Sequence, residues 1–323
     1  MSDAADNPMA SVFIDGQAGT TGLEISQLLS ARDDIDLLSI EDALRKDPSA
    51  RRERMQEADV TILCLPDAAA LEAVALGEGK TRFLDASTAH RTHPDWVYGL
   101  PEMDPSQRQA IAAAEKVANP GCYPQGFILL IRPLIESGLL AADARLCIFG
   151  LSGYSGGGRA LVEKYQAFTA AEAQAWNTRP YSLSLTHKHR PEMQHFAGLE
   201  NPPLFTPTVG NFYRGMLIEI PLHAAMLSRP VSGEELGSLL AGRYAGECFI
   251  EVHGFQPEDL TDAGYLSATA TNGSNRMQLM IFGNDEQFLL VARYDNLGKG
   301  ASGAAVQNLN LMLGMEESLG LGG

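Results

Sequence analysis

The segment Asn119-Pro120-Gly121-Cys122-Tyr123-Pro124 is built to make a thiol reactive. Pro120 and Gly121 form a turn, and Pro124 opens an apolar helix over residues 125–134, proline being tolerated in a first turn. Cys122 is therefore predicted at a helix N-terminus, where unpaired amides and the positive dipole end favour thiolate over thiol. A free cysteine near pKa ~8.5 is only a few per cent ionised at neutral pH, so a drop of about two units would make it mostly nucleophilic. The alternative is a small cysteine packed inertly under the turn.

A nucleophile needs an acid–base partner, and Thr186-His187-Lys188-His189-Arg190-Pro191-Glu192 offers two imidazoles two residues apart. In an extended segment both would face the same way. A metal pair is the competing chemistry, but no third ligand stands at a recognisable spacing, and Lys188 and Arg190 would repel a cation. The same two cations should lower a histidine's affinity for a proton. His90, His93, His195, His223 and His253 stand singly and read as satisfied core or surface residues. Two further segments could hold an anion. In 151–159 (LSGYSGGGR), Ser155, Gly156 and Arg159 can cradle one, although a surface loop reads almost as well. In 85–91 (DASTAHR), at the end of a strand, Arg91 is the first candidate for a substrate phosphate or carboxylate.

Gly16-Gln17-Ala18-Gly19-Thr20-Thr21-Gly22 reads G-x-x-G-x-x-G between a strand and a helix, the arrangement that seats a dinucleotide pyrophosphate on helix amides. Thr20 or Thr21 can cap the following helix, whose Leu23, Leu28 and Leu29 recur at helical spacing. Glu41 and Asp42, after the second strand, can take ribose hydroxyls, whereas Arg45, Lys46, Arg51, Arg52 and Arg54 can take a 2′-phosphate or simply line a solvated helix face. Ser39 and Arg45 join the seven loop residues as the expected cofactor contacts.

These residues need a scaffold. Strand-like runs at 11–15 (SVFID), 35–40 (IDLLSI), 60–65 (VTILCL) and 82–86 (RFLDA) alternate with helix-prone stretches, 68–80 among them. That alternation predicts a Rossmann-like, doubly wound parallel sheet. After about residue 120 the strand-like runs (145–149, 212–220, 248–252, 276–282 and 288–294) lie further apart, separated by irregular Gly- and Pro-rich stretches. An α+β catalytic domain with a mixed or antiparallel sheet follows. The expected division is 1–120, completed by 299–323, for the dinucleotide, and 121–298 for catalysis and oligomerisation.

The 323 residues allow two such domains, and 24 basic against 40 acidic residues give a net charge of −16. That field opposes nucleic acid and anionic membranes as partners. The opening MSDAADNPMA has no basic residue and does not read as a secretion signal, and the apolar run 127–140 is interrupted by Arg132, Pro133 and Glu136. Cysteines at 64, 122, 147 and 248 form no CxxC pair, as expected of reduced thiols in a cytoplasmic protein.

Eight ordered segments together resemble the shorter form of the N-acetyl-gamma-glutamyl-phosphate reductase family of arginine biosynthesis. They are GQAGTTG, DASTAHR, YGLPEM, NPGCYP, SGYSGGGR, HKHRPEM, VGNFYRGM and NLGKGASGAAVQNLN. The resemblance implies Cys122 as nucleophile, an acid–base histidine within the His187–His189 pair, and NADP(H) on the 16–22 loop. It also implies a small-molecule acyl phosphate substrate, a homodimer or homotetramer, and a C-terminal helix returning to the first domain over the cofactor. Aspartate-semialdehyde dehydrogenase shares this architecture and cysteine chemistry. A nucleotide-sensing regulator without turnover is the alternative from another class, and it would need neither the NPGC turn nor the histidine pair.

Overall fold

A computed structural model describes residues 9–322, so most of the N-terminal decapeptide read above for a targeting signal lies outside the described residues. The chain divides into two compact units, one of 1–99, 108–119 and 305–321, the other of 100–107, 120–304 and 322–323.

The first unit is a six-stranded sheet of β1 (Ala10–Asp15), β2 (Ile35–Leu38), β3 (Val60–Leu63), β4 (Arg82–Asp85), β5 (Val97–Tyr98) and β6 (Lys116–Ala118), in the order β2-β1-β3-β4-β6-β5. Every pairing is parallel. Its helices are α1 (Thr20–Ser30), α2 (Pro48–Glu57), α3 (Asp67–Gly77), α4 (Gln107–Ala113), whose first residue belongs to the other unit, and α10 (Gly303–Met312), which enters from it at residue 305. The period of two along β1 sends Val12 and Ile14 to one face, packed with Ile25, Leu29, Val306 and Leu309. Phe13 goes to the other, with Met55, Ala70 and Ala73. Burial of both faces is what the unbroken apolar runs of a parallel sheet require.

The strands end earlier than their sequence runs: β2 stops at Leu38, β3 at Leu63 and β4 at Asp85, because the carboxyl ends turn out into loops. The predicted threonine cap is also corrected. Gly19 is the N-cap, in extended conformation with no side-chain cap, and its carbonyl accepts the Leu23 amide at 2.8 Å, so Thr20 and Thr21 already lie in the first turn. Leu23 is 48% exposed, and Gly22, Ile25, Ser26 and Leu29 form the buried stripe of α1 instead.

The second unit is a seven-stranded mixed sheet. Its strands are β7 (Cys147–Gly153), β8 (Thr178–Pro180), β9 (Leu204–Gly210), β10 (Met216–His223), β11 (Ile250–Phe255), β12 (Met277–Gly283) and β13 (Gln287–Tyr294), ordered β11-β12-β13-β10-β7-β9-β8. The central β12-β13-β10-β7 run is antiparallel, while β7-β9 and β11-β12 are parallel. The stretches read as irregular contain helices: α6 (Gly158–Gln166), α7 (Ala170–Ala175), α8 (Arg190–Ala197) and α9 (Gly233–Arg243). Helix α5 (Cys122–Glu136) packs against β10, β13, α8 and α9, and its Phe127–Ile131 stretch is wholly buried. Among the described residues no helix is long and apolar enough to cross a membrane.

Candidate active site

Cys122 is the first residue of α5, and Gly121, extended at φ −67° and ψ 151°, is its N-cap. Glycine has no side chain to cap the helix, so no side-chain cap stands between the positive end of the dipole and the sulfur. The turn is fixed from a distance: the Gly121 amide donates to the Glu192 carboxylate at 3.0 Å, and Glu192 is buried in the first turn of α8.

That bond brings the histidine segment to the cysteine. His187 and His189 do not lie in an extended strand. His189 is the N-cap of α8 with helical dihedrals (φ −85°, ψ −10°), yet the rings meet edge-on with centroids 4.7 Å apart. Both rings lie 5.9 Å from Tyr123, the neighbour of Cys122. The His189 amide donates to His187 Nδ1 at 3.2 Å, so a neutral His187 carries its proton on Nε2. His189 is buried and His187 half-buried. Burial, then Tyr181 and Cys122, push the Tyr123 phenol well up, so it stays protonated. Of the two flanking cations, Lys188 is exposed, and Arg190 is oriented by donating to the carbonyls of Pro203 at 3.0 Å and Leu185 at 2.5 Å.

The glycine-rich segment after β7 is a tight turn (Tyr154–Gly157) running into α6, rather than a surface loop. Ser155 is buried and its hydroxyl accepts from Asn296 Nδ2 at 2.8 Å, while Gly156 lies beside Ser152 and Asn296. Arg159 lies on an exposed face of α6 and pairs with Glu163 at 2.7 Å. Sequence reasoning passed over Glu192, Asp295, Asn296 and Tyr294. All four lie inside or next to segments that carried the family resemblance, which was the available signal. Asp295 is fully buried, accepting from Arg214 at 3.2 Å and from the Gly273 amide at 2.9 Å, and the Asn296 side-chain Oδ1 accepts the Gly215 amide at 2.8 Å.

In the first unit Gly16 has φ +93°, and a Cβ there would lie 2.4 Å from the Cys64 carbonyl oxygen. A Cβ at Gly22 would lie 2.7 Å from the Gly16 oxygen, so both positions demand glycine. A Cβ on Gly19, at the N-cap, would meet the Gly16 oxygen at 3.5 Å and the Cys64 oxygen at 3.9 Å, both ordinary contacts. A left-handed turn and a helix start with no side-chain cap fit a pyrophosphate. Gln17 and Ala18 are exposed at the tip, Gln17 donating to Ser26 at 2.6 Å. Beyond β2, Ser39 is exposed and Arg45, half-exposed, stands 3.6 Å from Asp42. Arg51 is committed elsewhere, pairing at 2.6 Å with buried Asp15. Arg91 is buried and donates to the Ala86 carbonyl at 3.1 Å. His90 beside it is the satisfied core histidine expected, stacked on Trp96 at 4.1 Å with Nδ1 2.6 Å from Asp85.

Relatives of this chain are numerous. A reductase described as N-acetyl-gamma-glutamyl-phosphate reductase 2 from Nostoc sp. is 52% identical over 317 residues, covering 96% of this chain and 98% of its own. The N-acetyl-gamma-glutamyl-phosphate reductase of Burkholderia ambifaria is 49% identical over 95% of this chain and 98% of its own. The chain belongs to the N-acetyl-gamma-glutamyl-phosphate reductase family. Residues 122–296 also match the family described as "Semialdehyde dehydrogenase, dimerisation domain", which points to an oligomer. In fold the chain is similar to aspartate semialdehyde dehydrogenase II from Vibrio cholerae (TM-score 0.71, 15% identity, 95% of this chain and 99% of that one). The parallel sheet and this kinship indicate a nicotinamide cofactor for the family's oxidoreductase chemistry.

Proposed function

We propose that this chain reduces N-acetyl-γ-glutamyl phosphate to N-acetylglutamate 5-semialdehyde with NADPH in arginine biosynthesis, as a cytoplasmic homo-oligomer. The observation that carries the proposal is a cysteine at an uncapped helix N-terminus, tied through Glu192 to a histidine with an assigned tautomer. It stands in a chain half identical to reductases of that name.

Cys122 is the nucleophile. Its sulfur forms a bond to the acyl carbon, the carbon–oxygen bond to phosphate breaks, and phosphate leaves with the electron pair, giving a thioester. A bound reduced nicotinamide supplies the hydride that the thioester carbon accepts. The resulting thiohemiacetal releases aldehyde as the carbon–sulfur bond breaks and the thiolate returns. His187 is assigned the proton: its Nε2–H donates to the oxygen that gains negative charge on hydride addition, and takes a proton back when the hemiacetal hydroxyl ionises. His189, buried as the α8 cap, holds the tautomer of His187 through its amide.

Gly16 to Gly22 hold the pyrophosphate in this reading, with Ser39 and Arg45 toward the adenosine ribose and its 2′-phosphate. Residues 1–120 and 299–323 are assigned to the cofactor, and 121–298 to catalysis and assembly. Ser155 and Gly156 offer a hydroxyl and backbone to an anionic group, and Arg91 a guanidinium. Arg159 is left out because its guanidinium already pairs with Glu163 on an exposed face. Exposed Phe149 and Leu204, on adjacent strands β7 and β9, support a second copy of the chain as partner.

The test runs the reaction backwards. Purified protein with N-acetylglutamate 5-semialdehyde, phosphate and NADP should generate NADPH absorbance, and aspartate semialdehyde should give far less. The opposite ranking would move the chain to the aspartyl substrate, and no turnover with either would overturn the enzyme reading.

A further inference from the structure

The phenol of Tyr294 stands against the first turn of α5. Its hydroxyl donates to the Cys122 carbonyl at 2.5 Å and accepts the Gly126 amide at 3.2 Å, adding a bond from the sheet at the two ends of one i→i+4 pair of the helix. The ring is fully buried, and Gly126 makes its close approach possible: a Cβ there would lie 2.9 Å from the ring and 2.8 Å from Ala292. Tyr294 ends β13, where Met216 and Met277 flank it on two neighbouring strands, so the backbone that carries the phenol is held by the sheet on both sides. Burial, and Cys122 beside it, push the phenol well above its usual range, so the hydroxyl stays a donor. On another side the π-helical turn Gly298–Ser302 closes in, since a Cβ on Gly300 would lie 3.2 Å from Cys122 Cβ.

We infer that Tyr294 is a positioning residue for the nucleophile, its hydroxyl bonded across the first turn of α5 to set where the Cys122 sulfur and the turn's amides point. A hydrogen bond to a helix carbonyl is an unusual use of a buried tyrosine, because that carbonyl already has a partner four residues on. The hydroxyl adds a bond at each of Cys122 and Gly126, so the geometry of the turn is set by the sheet as well as by the helix. Without it the turn is held by the helix alone and can shift, carrying the sulfur with it. The inference rests on Cys122 being the nucleophile, and the test separates the two.

Tyr294→Phe keeps the ring and removes both bonds. A displacement of about 1 Å at a reacting atom can cost on the order of a hundredfold, so kcat should fall about tenfold to a hundredfold while KM for both substrates changes by less than about threefold. The alkylation rate of Cys122 by iodoacetamide at neutral pH, followed by mass spectrometry without any substrate, should fall in parallel. Gly126→Ala, which keeps the phenol's hydroxyl but displaces it, should slow alkylation as well, and it decides the matter if Tyr294→Phe does not fold. Wild-type rates of both kcat and alkylation in a folded Tyr294→Phe would overturn the positioning role. So would wild-type alkylation in Gly126→Ala where that variant decides. If instead the wild-type Cys122 reacts no faster than a free thiol, the nucleophile assignment itself falls.

Discussion

Cys64 follows strand β3 of the first unit, and Cys122 opens helix α5 of the second; both are free thiols beside a glycine turn. Cys64 lies against Gly16 through its carbonyl, and its amide donates to the Asp15 carbonyl at 2.8 Å. Burial first, then the carboxylates of Asp85 and Asp15, push its thiol up to about 12. Cys122 meets helix amides with no side-chain cap, and phenols that remain neutral. Under the proposed function, what separates the inert sulfur from the nucleophilic one is burial first and then the sign of the dipoles and charges that face it, since neither residue type nor proximity to a glycine turn differs.

The largest expected effect comes from exchanging the two thiols for hydroxyls. Cys122→Ser should lower reductase turnover by roughly 10³-fold or more, as removal of a nucleophile commonly does. Cofactor affinity, read by fluorescence titration, should stay near wild type. Cys64→Ser should keep most of its turnover. Substantial activity in the first variant, or equal losses in both, would erase the contrast.

The histidines come next. His187→Asn should cut turnover by roughly 10²–10⁴-fold, the usual worth of one positioned acid–base group, and His189→Asn by less. A reversed order would transfer the acid–base role to His189, and loss of wild-type activity on adding a chelator would bring back the metal reading.

The contrast can also be read by pH. A thiol whose folded pKa is raised stabilises the fold fully below the free-thiol range near ~8.5 and loses that contribution as pH climbs toward the folded value of about 12. The urea midpoint of the wild type should therefore fall more steeply between about pH 9 and 11 than that of Cys64→Ala. Parallel curves would show that Cys64 ionises like an exposed thiol. Native-state alkylation at neutral pH should likewise mark Cys122 and spare Cys64.

Smallest is the cofactor effect. Neutralising Arg45 and Arg52 together should narrow a preference for NADP over NAD by several-fold, about the worth of one exposed charge-assisted contact. Arg51 should behave differently: Arg51→Leu strands the Asp15 carboxylate, whose burial already raises its pKa, so the melting temperature should drop while the cofactor ratio holds. Equal turnover of NADP and NAD by the wild type would hand the ribose to Glu41.

Local chemistry alone was enough to place Cys122 at a helix N-terminus, because Pro120, Gly121 and Pro124 constrain the backbone within a few residues. The same holds for the 16–22 turn, where Gly16 and Gly22 occupy positions no side chain can enter. The alternation of apolar strands and helices likewise sufficed for the parallel sheet. Helix α2 was legible only as a solvated face and not in its bounds, because its ten residues are mostly polar and bury Met55 alone, leaving no apolar period to read. Gly19 rather than a threonine starts α1 because extended dihedrals at the cap are a backbone property, indifferent to which neighbouring side chain could have served. Only the tertiary structure decided which distant groups reach Cys122. Glu192 holds its turn from 71 residues away and Tyr294 reaches its helix from 172 residues away. Such bonds join elements whose packing is set by the burial of both surfaces, and no spacing along the chain encodes that.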